Sequence, residues 1–142
     1  MKLVDLNVLL YVVNETAVHH ARVRQWWEDA INGDDSVGLP WLVLLGFLRL
    51  STHSNIFPHP LDLATAIGKI DLWLSLDNTR VVREKEEHWE ILRLLIKESG
   101  LAGNLSSDAH LAAMAISHGA ILVSCDNDFS RFRGIRWENP VI

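Results

Sequence analysis

Four aspartates carry the chemistry open to this sequence. Asp5 follows the apolar Leu3-Val4, Asp126 comes three residues after the apolar run Ala120-Ile121-Leu122-Val123, and Asp128 stands two positions further on. Asp108 heads a stretch rich in alanine, with Ala109, Ala112, Ala113 and Ala115. Carboxylates gathered at one place repel one another and raise each other's pKa unless a cation neutralises them. Hard oxygen donors suit Mg²⁺ or Mn²⁺, which keep several of their waters, and an ion held this way can activate a water to attack a phosphodiester. Each acid also has a plainer use. Asp108 can cap a helix, Asp126 and Asp128 can be turn residues of Asp-Asn-Asp, and Asp5 can be a buried acid paired with an arginine. Asp5 is the most telling of the four, because an acid inside an apolar strand is costly to bury without a partner.

The elements that must position these acids follow from periodicity and punctuation. Residues 2–5 read as a short buried strand that passes into a helical or looped segment carrying Val8, Leu9 and Leu10. A helix is expected from Ala17 to Ile31, stopped by Asn32-Gly33-Asp34-Asp35, then a small strand at 36–38 and an apolar, buried helix over 41–50 with Pro40 in its first turn. Residues 51–60 form a loop, Asp62 opens a helix to about Leu76, and Arg80-Val81-Val82 is a strand. A helix from about Lys85 to Ser99 ends at Gly100, and Ser106-Ser107-Asp108 caps another that ends at Gly119. The strand 120–123 leads to Asp126, and a last short strand falls within 135–141. Strands alternating with helices predict an α/β fold, a central, mainly parallel sheet flanked by helices on both faces. Ligands of such sheets bind beyond the carboxyl ends of the strands, so Asp5, Asp108, Asp126 and Asp128 are expected to meet at one edge.

With 142 residues the chain suits one domain, 1–142. Its 49% hydrophobic and 22% charged residues exclude collagenous, coiled-coil and disordered classes. The one cysteine, Cys125, cannot form an internal disulfide. No apolar stretch reaches the length of about 20 residues that spans a bilayer, and Asp5 interrupts the amino-terminal region, so the chain reads as cytoplasmic with no membrane partner. Six tryptophans form no repeat and read as core or partner-facing anchors. A net charge of −5 argues at first against nucleic acid. Setting the four site acids aside leaves acids and bases nearly balanced, so the acidity belongs to the cation site more than to the surface.

Four segments also carry a family resemblance: Val4-Asp5-Leu6-Asn7-Val8-Leu9-Leu10, Gly46-Phe47-Leu48-Arg49-Leu50, Ser107-Asp108-Ala109-His110-Leu111-Ala112-Ala113, and Leu122-Val123-Ser124-Cys125-Asp126-Asn127-Asp128-Phe129. Together, in this order and over essentially the whole chain, they resemble PIN-domain proteins, and more narrowly the VapC toxins of bacterial toxin–antitoxin pairs of the kind abundant in mycobacteria. The resemblance implies a Mg²⁺- or Mn²⁺-dependent endoribonuclease acting on structured RNA such as tRNA or rRNA, neutralised by a cognate VapB-type antitoxin and commonly a homodimer. It also implies Asp5 and Asp108 as main metal ligands, Asp126 as a further acid of the site, Asp128 as a lesser one, Ser124 as the small hydroxyl residue before the acid, and Asn7 as the group that orients Asp5. One departure stands out: residues 39–50 contain no acid, and Gly46 occupies a place where such nucleases often have a glutamate.

Local basic residues must then meet the RNA phosphates, and Arg49, Arg131, Arg133 and Arg136 are the candidates; the alternative is that Arg49 balances buried acids and the other three form a solvated face. His110, one turn into the Asp108 helix, reads as a surface or supporting residue, since the seven histidines show no metal-ligand spacing. A receiver domain would need a lysine near residues 125–129, and a haloacid-type phosphatase would need Asp where Asn7 stands. A degenerate PIN domain that binds RNA or antitoxin without catalysis is the remaining alternative, motivated by Gly46.

Overall fold

The computed structural model describes residues 1–55, 57–100 and 105–142. Five strands form one sheet: β1 (Lys2–Val4), β2 (Val37–Pro40), β3 (Thr79–Val82), β4 (Ile121–Val123) and β5 (Arg136–Glu138). Their spatial order is β3-β2-β1-β4-β5 and every pairing is parallel. β1 and β4 lie side by side in the centre, Lys2 opposite Ile121 and Val4 opposite Val123. The residues following their last positions, Asp5 and Ser124, therefore emerge at the same edge.

Six helices supply the crossovers among the described residues: α1 (Leu6–Val13) and α2 (His20–Ile31) between β1 and β2, α3 (Trp41–Ser51) and α4 (Leu63–Ser75) between β2 and β3, α5 (His88–Ser99) and α6 (Ser106–Ser117) between β3 and β4. The first two connections step one way across the sheet and the third steps back over β1. With right-handed crossovers, α1–α4 cover one face and α5–α6 the other. The packing agrees: α1 lies against α2 and α3, α3 against α4, and α5 against α6. The reversal between β1 and β4 is the topological switch point at which α/β sheets open a crevice.

The core is apolar and fully closed around Leu3, Leu9, Leu39, Leu44, Phe47, Met114, Leu122 and Phe129. Trp73 stands edge-on between Trp27 and Phe47, with ring centroids 5.7 and 4.8 Å away. The small side chains of α6 let it sit deep: Ala109, Ala112, Ala113 and Ala115 are buried along with Leu111 and Met114. Trp41 and Trp89, by contrast, are exposed, so the tryptophans divide between core and surface.

Several boundaries move from those expected. The segment after Asp5 is a full helix, α1, which starts with no intervening turn because the Asp5 carboxylate itself accepts from the Leu6 N–H. Residues before His20 form turns instead of helix, with Ala17 N–H donating to the Asn14 carbonyl and His20 N–H to that of Ala17. α5 begins at His88, three residues later than Lys85. Pro40 ends β2 in extended conformation and precedes α3 instead of sitting in its first turn. Asp62 caps α4 as expected, accepting from the Thr65 N–H at 2.7 Å. In the expected loop at 51–60, residue 56 lies outside the described residues. No described helix is long and apolar enough to cross a membrane.

Candidate active site

Asp5 sits at the carboxyl end of β1, 8% exposed, inside a net of donors. Leu6 N–H donates to its Oδ1 at 2.6 Å, the Ser124 hydroxyl to its Oδ2 at 2.7 Å, and Asn7 Nδ2 to the same Oδ2 at 3.2 Å. Asn7 and Ser124 are tied to each other as well, Asn7 Nδ2 donating to Ser124 Oγ at 3.1 Å while Asn7 Oδ1 accepts from Cys125 N–H at 3.0 Å. The carboxylate is thus held in one orientation from β1, α1 and the end of β4 at once. Burial pushes its pKa up; the Ser124 and Leu6 hydrogen bonds pull it down, and the charge of Asp126 adds to the rise.

Asp108 lies in the first turn of α6 and not at its N-cap, which is Leu105. It shares a cleft of ≈ 170 Å³ with Asp5, Leu6, Leu42, Val43, Gly46, Arg49, Ser107 and Leu111. Its pKa is raised to about 6, first by burial and then by the negative charges of Asp5, Asp126 and Asp128. A carboxyl pushed up by three other acids is a carboxyl placed for a cation to relieve. Asp126 follows Ser124, whose Oγ accepts from the Asp126 N–H at 3.0 Å, and its Oδ1 accepts from Asp128 N–H at 2.9 Å to cap a 3-10 turn over Asn127–Arg131.

The buried Ser124 hydroxyl therefore serves Asp5, Asn7 and Asp126 together. Replacing Ser124 by alanine leaves the part-buried Asp126 N–H without an acceptor, Asn7 Nδ2 with Asp5 alone, and one Asp5 carboxylate oxygen short of a donor. We expect a loss of about 1–3 kcal/mol, read as a lower midpoint in urea at unchanged slope.

The four arginines separate. Arg49 lines the Asp5/Asp108 cleft and forms no ion pair among the described residues. Arg131 pairs with Asp128 at 3.6 Å, which turns part of that acid's charge away from the site. Arg131 and Arg133 border a different cavity, with Leu95, Glu98, Ser99 and Phe132. Arg136 is not brought to the site: it pairs in register with Ile121 at the start of β4, on the far edge of the sheet, and donates to the Gly119 carbonyl. Along a parallel strand, two residues of register are enough to separate the edges.

Gly46 lines the same cleft, and a Cβ there would stand 2.9 Å from Leu6 Cδ2. α1 and α3 approach closely at this point, which gives the helical glycine a packing role. His110 faces away from the acids, its Nδ1 2.8 Å from His88 Nε2 and its Nε2 3.4 Å from Glu84. Cys125 is no nucleophile, its thiol pushed up to about 12 by burial and by Asp5. Sequence reading missed the bracing of the acidic turn from β5. Trp137 Nε1 donates to the Ser124 carbonyl at 3.1 Å, and Asn139 Nδ2 to Asn127 Oδ1 at 3.2 Å. The Asn139-Pro140 pair was the available signal of an ordered turn there.

Among the described residues, no three acid, histidine or cysteine side chains converge on one point. That excludes a preformed tetrahedral zinc cage of described residues. The donor set of the cleft, the carboxylates of Asp5 and Asp108, suits Mg²⁺, which binds through one or two carboxylates and retains waters.

Comparison with known proteins agrees with the fold. The PIN domain family matches residues 2–135. Ribonuclease VapC37 of Mycobacterium tuberculosis is 44% identical over 140 residues, 99% of this chain and 97% of that protein. Ribonuclease VapC33 of the same species is 36% identical over 137 residues, 96% of each. Among solved structures, VapBC-1 from nontypeable Haemophilus influenzae superposes with a TM-score of 0.71 at 15% identity, covering 99% of this chain and 98% of that one. Mycobacterium tuberculosis VapC20, a toxin that cleaves the sarcin-ricin loop, gives 0.69 at 19% identity, covering 96% and 99%. With the match running nearly end to end, the chain belongs to the PIN-domain family and, within it, to the VapC ribonucleases.

Proposed function

We propose that this protein is the toxin of a toxin–antitoxin pair, an endoribonuclease that hydrolyses phosphodiester bonds of structured RNA with Mg²⁺ or Mn²⁺ held between Asp5 and Asp108. The observation that carries the reading is the pair itself: two carboxylates on different elements, facing one cleft, each with its pKa raised by burial and by neighbouring acids. Asp126 is the further acid of the site, Asp128 a weaker one because Arg131 already meets it. Mg²⁺ or Mn²⁺, when bound, supplies Lewis acidity, drawing in the phosphodiester and acidifying the water that attacks it.

The chain's own residues do the rest. Ser124 and Asn7 hold the Asp5 carboxylate still, so no reorganisation accompanies binding. Arg49, unpaired in the cleft, meets the phosphate. The cation site cancels the negative charge that would otherwise repel RNA. Arg131 and Arg133 lie to the side and steer the strand; Arg136 takes no part. The single-domain reading, 1–142, accords with one sheet and one core.

A VapB-type antitoxin is the proposed partner, as several structural neighbours are VapBC complexes. Trp41, Leu42 and Leu45, exposed along α3 with Leu42 bordering the cleft, offer apolar surface beside the acids for that antitoxin or for a second protomer of a homodimer. Gly46 favours one alternative, a PIN domain that binds RNA or antitoxin without cutting, since Leu6 fills the place of a further ligand.

Purified protein incubated with total RNA decides between them. We expect discrete fragments with Mg²⁺ and none with excess EDTA. Cleavage that persists in EDTA would remove the metal from the mechanism. Absence of cleavage by the wild type, together with cleavage by Gly46→Glu, would establish the non-catalytic module.

A further inference from the structure

One face of α1 leads away from Asp5, and beyond Asn7 it takes no part in the reaction as described. Asn7, Leu10, Tyr11 and Asn14 follow at helical spacings of three and four, so they form one stripe. With Phe57 they enclose a cavity of ≈ 210 Å³. Its near end adjoins the acids, for Asn7 Nδ2 lies 3.2 Å from Asp5 Oδ2. Phe57, 5% exposed, is a fixed wall, while Tyr11 lines the cavity half-buried, its ring meeting His19 edge-on at 5.8 Å between centroids.

The far end is polar in a specific way. Asn14 Oδ1 accepts from the Thr16 N–H at 3.3 Å and from the Thr16 hydroxyl at 2.8 Å. A backbone N–H can only donate, so it fixes the amide's orientation and leaves Nδ2 as the remaining group. Neither Asn14 Nδ2 nor the Tyr11 hydroxyl has a hydrogen-bond partner among the described residues. Past Asn14 and Phe57 a second cavity of ≈ 400 Å³ begins, bordered by Lys69, which forms no ion pair among the described residues.

We propose that the α1 cavity receives one unstacked nucleobase of the RNA strand next to the bond that is cut, lying on Tyr11 and read at its edge by Asn14. Lys69 meets the phosphate that follows. The inference rests on the ribonuclease reading above and deepens it by assigning the residues that set sequence preference. RNA-binding proteins read sequence on splayed bases, by stacking on aromatic rings and hydrogen bonds to base edges, and this stripe supplies both beside the carboxylates. Continuity with Asp5 through Asn7 favours a nucleic-acid strand over a peptide, and in the far cavity, where Glu15 also stands, Lys69 is the cation that would meet a phosphate.

Full-length protein, Mg²⁺ and a pool of single-stranded RNA of random sequence test this, with cut ends read by sequencing. The wild type is expected to prefer particular bases at one position flanking the cut. Tyr11→Leu should weaken cleavage roughly ten- to a hundredfold, mainly through KM, and flatten the preference at that position. Asn14→Asp, which exchanges a donor for an acceptor, should move the preference to a different base. Both variants should keep the wild-type rise in melting temperature with Mg²⁺, the sign that the metal site is intact.

Variants that cut at the wild-type rate with the wild-type preference overturn the proposal. So does loss of the Mg²⁺ response, or a loss confined to neutralisation by antitoxin, which would place a peptide in the cavity. A wild type that cuts no RNA overturns the ribonuclease reading instead. The cavity is then judged by calorimetry with the four nucleoside 5′-monophosphates: tighter binding by wild type than by Tyr11→Leu supports it, and equal binding overturns it.

Discussion

Asp5→Asn is expected to reduce Mg²⁺-dependent RNA cleavage by at least about a thousandfold while leaving the fold intact. The size follows from what is lost, several kcal/mol of charge stabilisation supplied by a divalent ion, at tenfold in rate for each 1.4 kcal/mol or so. The fold survives because asparagine keeps the shape and the acceptor: its Oδ1 still takes the Leu6 N–H that starts α1. Its amide nitrogen, however, meets two donors, the Ser124 hydroxyl and Asn7 Nδ2, at the position Oδ2 now fills. The Ser124 hydroxyl already accepts from Asn7 Nδ2 and the Asp126 N–H, and Asn7 Oδ1 is committed to the Cys125 N–H, so neither is free to accept and the variant should melt somewhat below the wild type. Single-turnover cleavage of a defined RNA gives the rate, and circular dichroism with a thermal melt gives the fold. Cleavage within tenfold of wild type would mean that Asp5 holds no ion. A folded variant with a cooperative melt and lost cleavage is the outcome that separates a catalytic acid from a structural one.

Much of this site was legible in the sequence because its signals are local. An apolar run ending in aspartate, a helix head of Ser-Ser-Asp and the alternation of strands with helices each depend on a few neighbouring residues, and the switch-point rule turns them into one edge of one sheet. Asp5 and Asp108 share one cleft in this way, while Asp126 stands near them without closing a three-acid cluster among the described residues. What failed depended on register or on contacts between remote segments. Arg136 lies only five residues after Arg131, yet β5 carries it to the opposite edge beside Gly119. After β1 the sequence reads equally as helix or loop, because the start signal of α1 is not a turn: Asp5 both follows the last residue of β1 and caps the helix. The closeness of Leu6 to Gly46, and the cavity that Phe57 closes over α1, arise from segments some forty or more residues apart and leave no periodic trace.

Asp108→Asn should do two things that a purely structural acid would not do together: abolish cleavage and make the metal-free protein more stable. The Asp108 carboxyl titrates at about 6 in the folded chain against the ordinary aspartate value of 3.8, shifted first by burial and then by Asp5, Asp126 and Asp128. Below about pH 3.8 both the folded and the unfolded chain carry the proton and the group costs nothing. As pH rises from there to about 6 the unfolded chain ionises first, so stability falls through that window, and above it the cost is constant. For a half-buried group partly screened by water the cost is about 1 kcal/mol, and the favourable field of the α6 N-terminus already offsets some of it. Asparagine removes that dependence, so at about pH 7 in EDTA the variant should unfold at higher urea, and the difference should vanish near about pH 4. Added Mg²⁺ reverses the order. At a hundred times its Kd, an ion bound only by the folded state adds about 2.7 kcal/mol, and only the wild type has both carboxylates to bind it. A variant less stable than wild type in EDTA at neutral pH, or equally stabilised by Mg²⁺, would show that Asp108 is held by contacts of its own and not kept in strain for a cation.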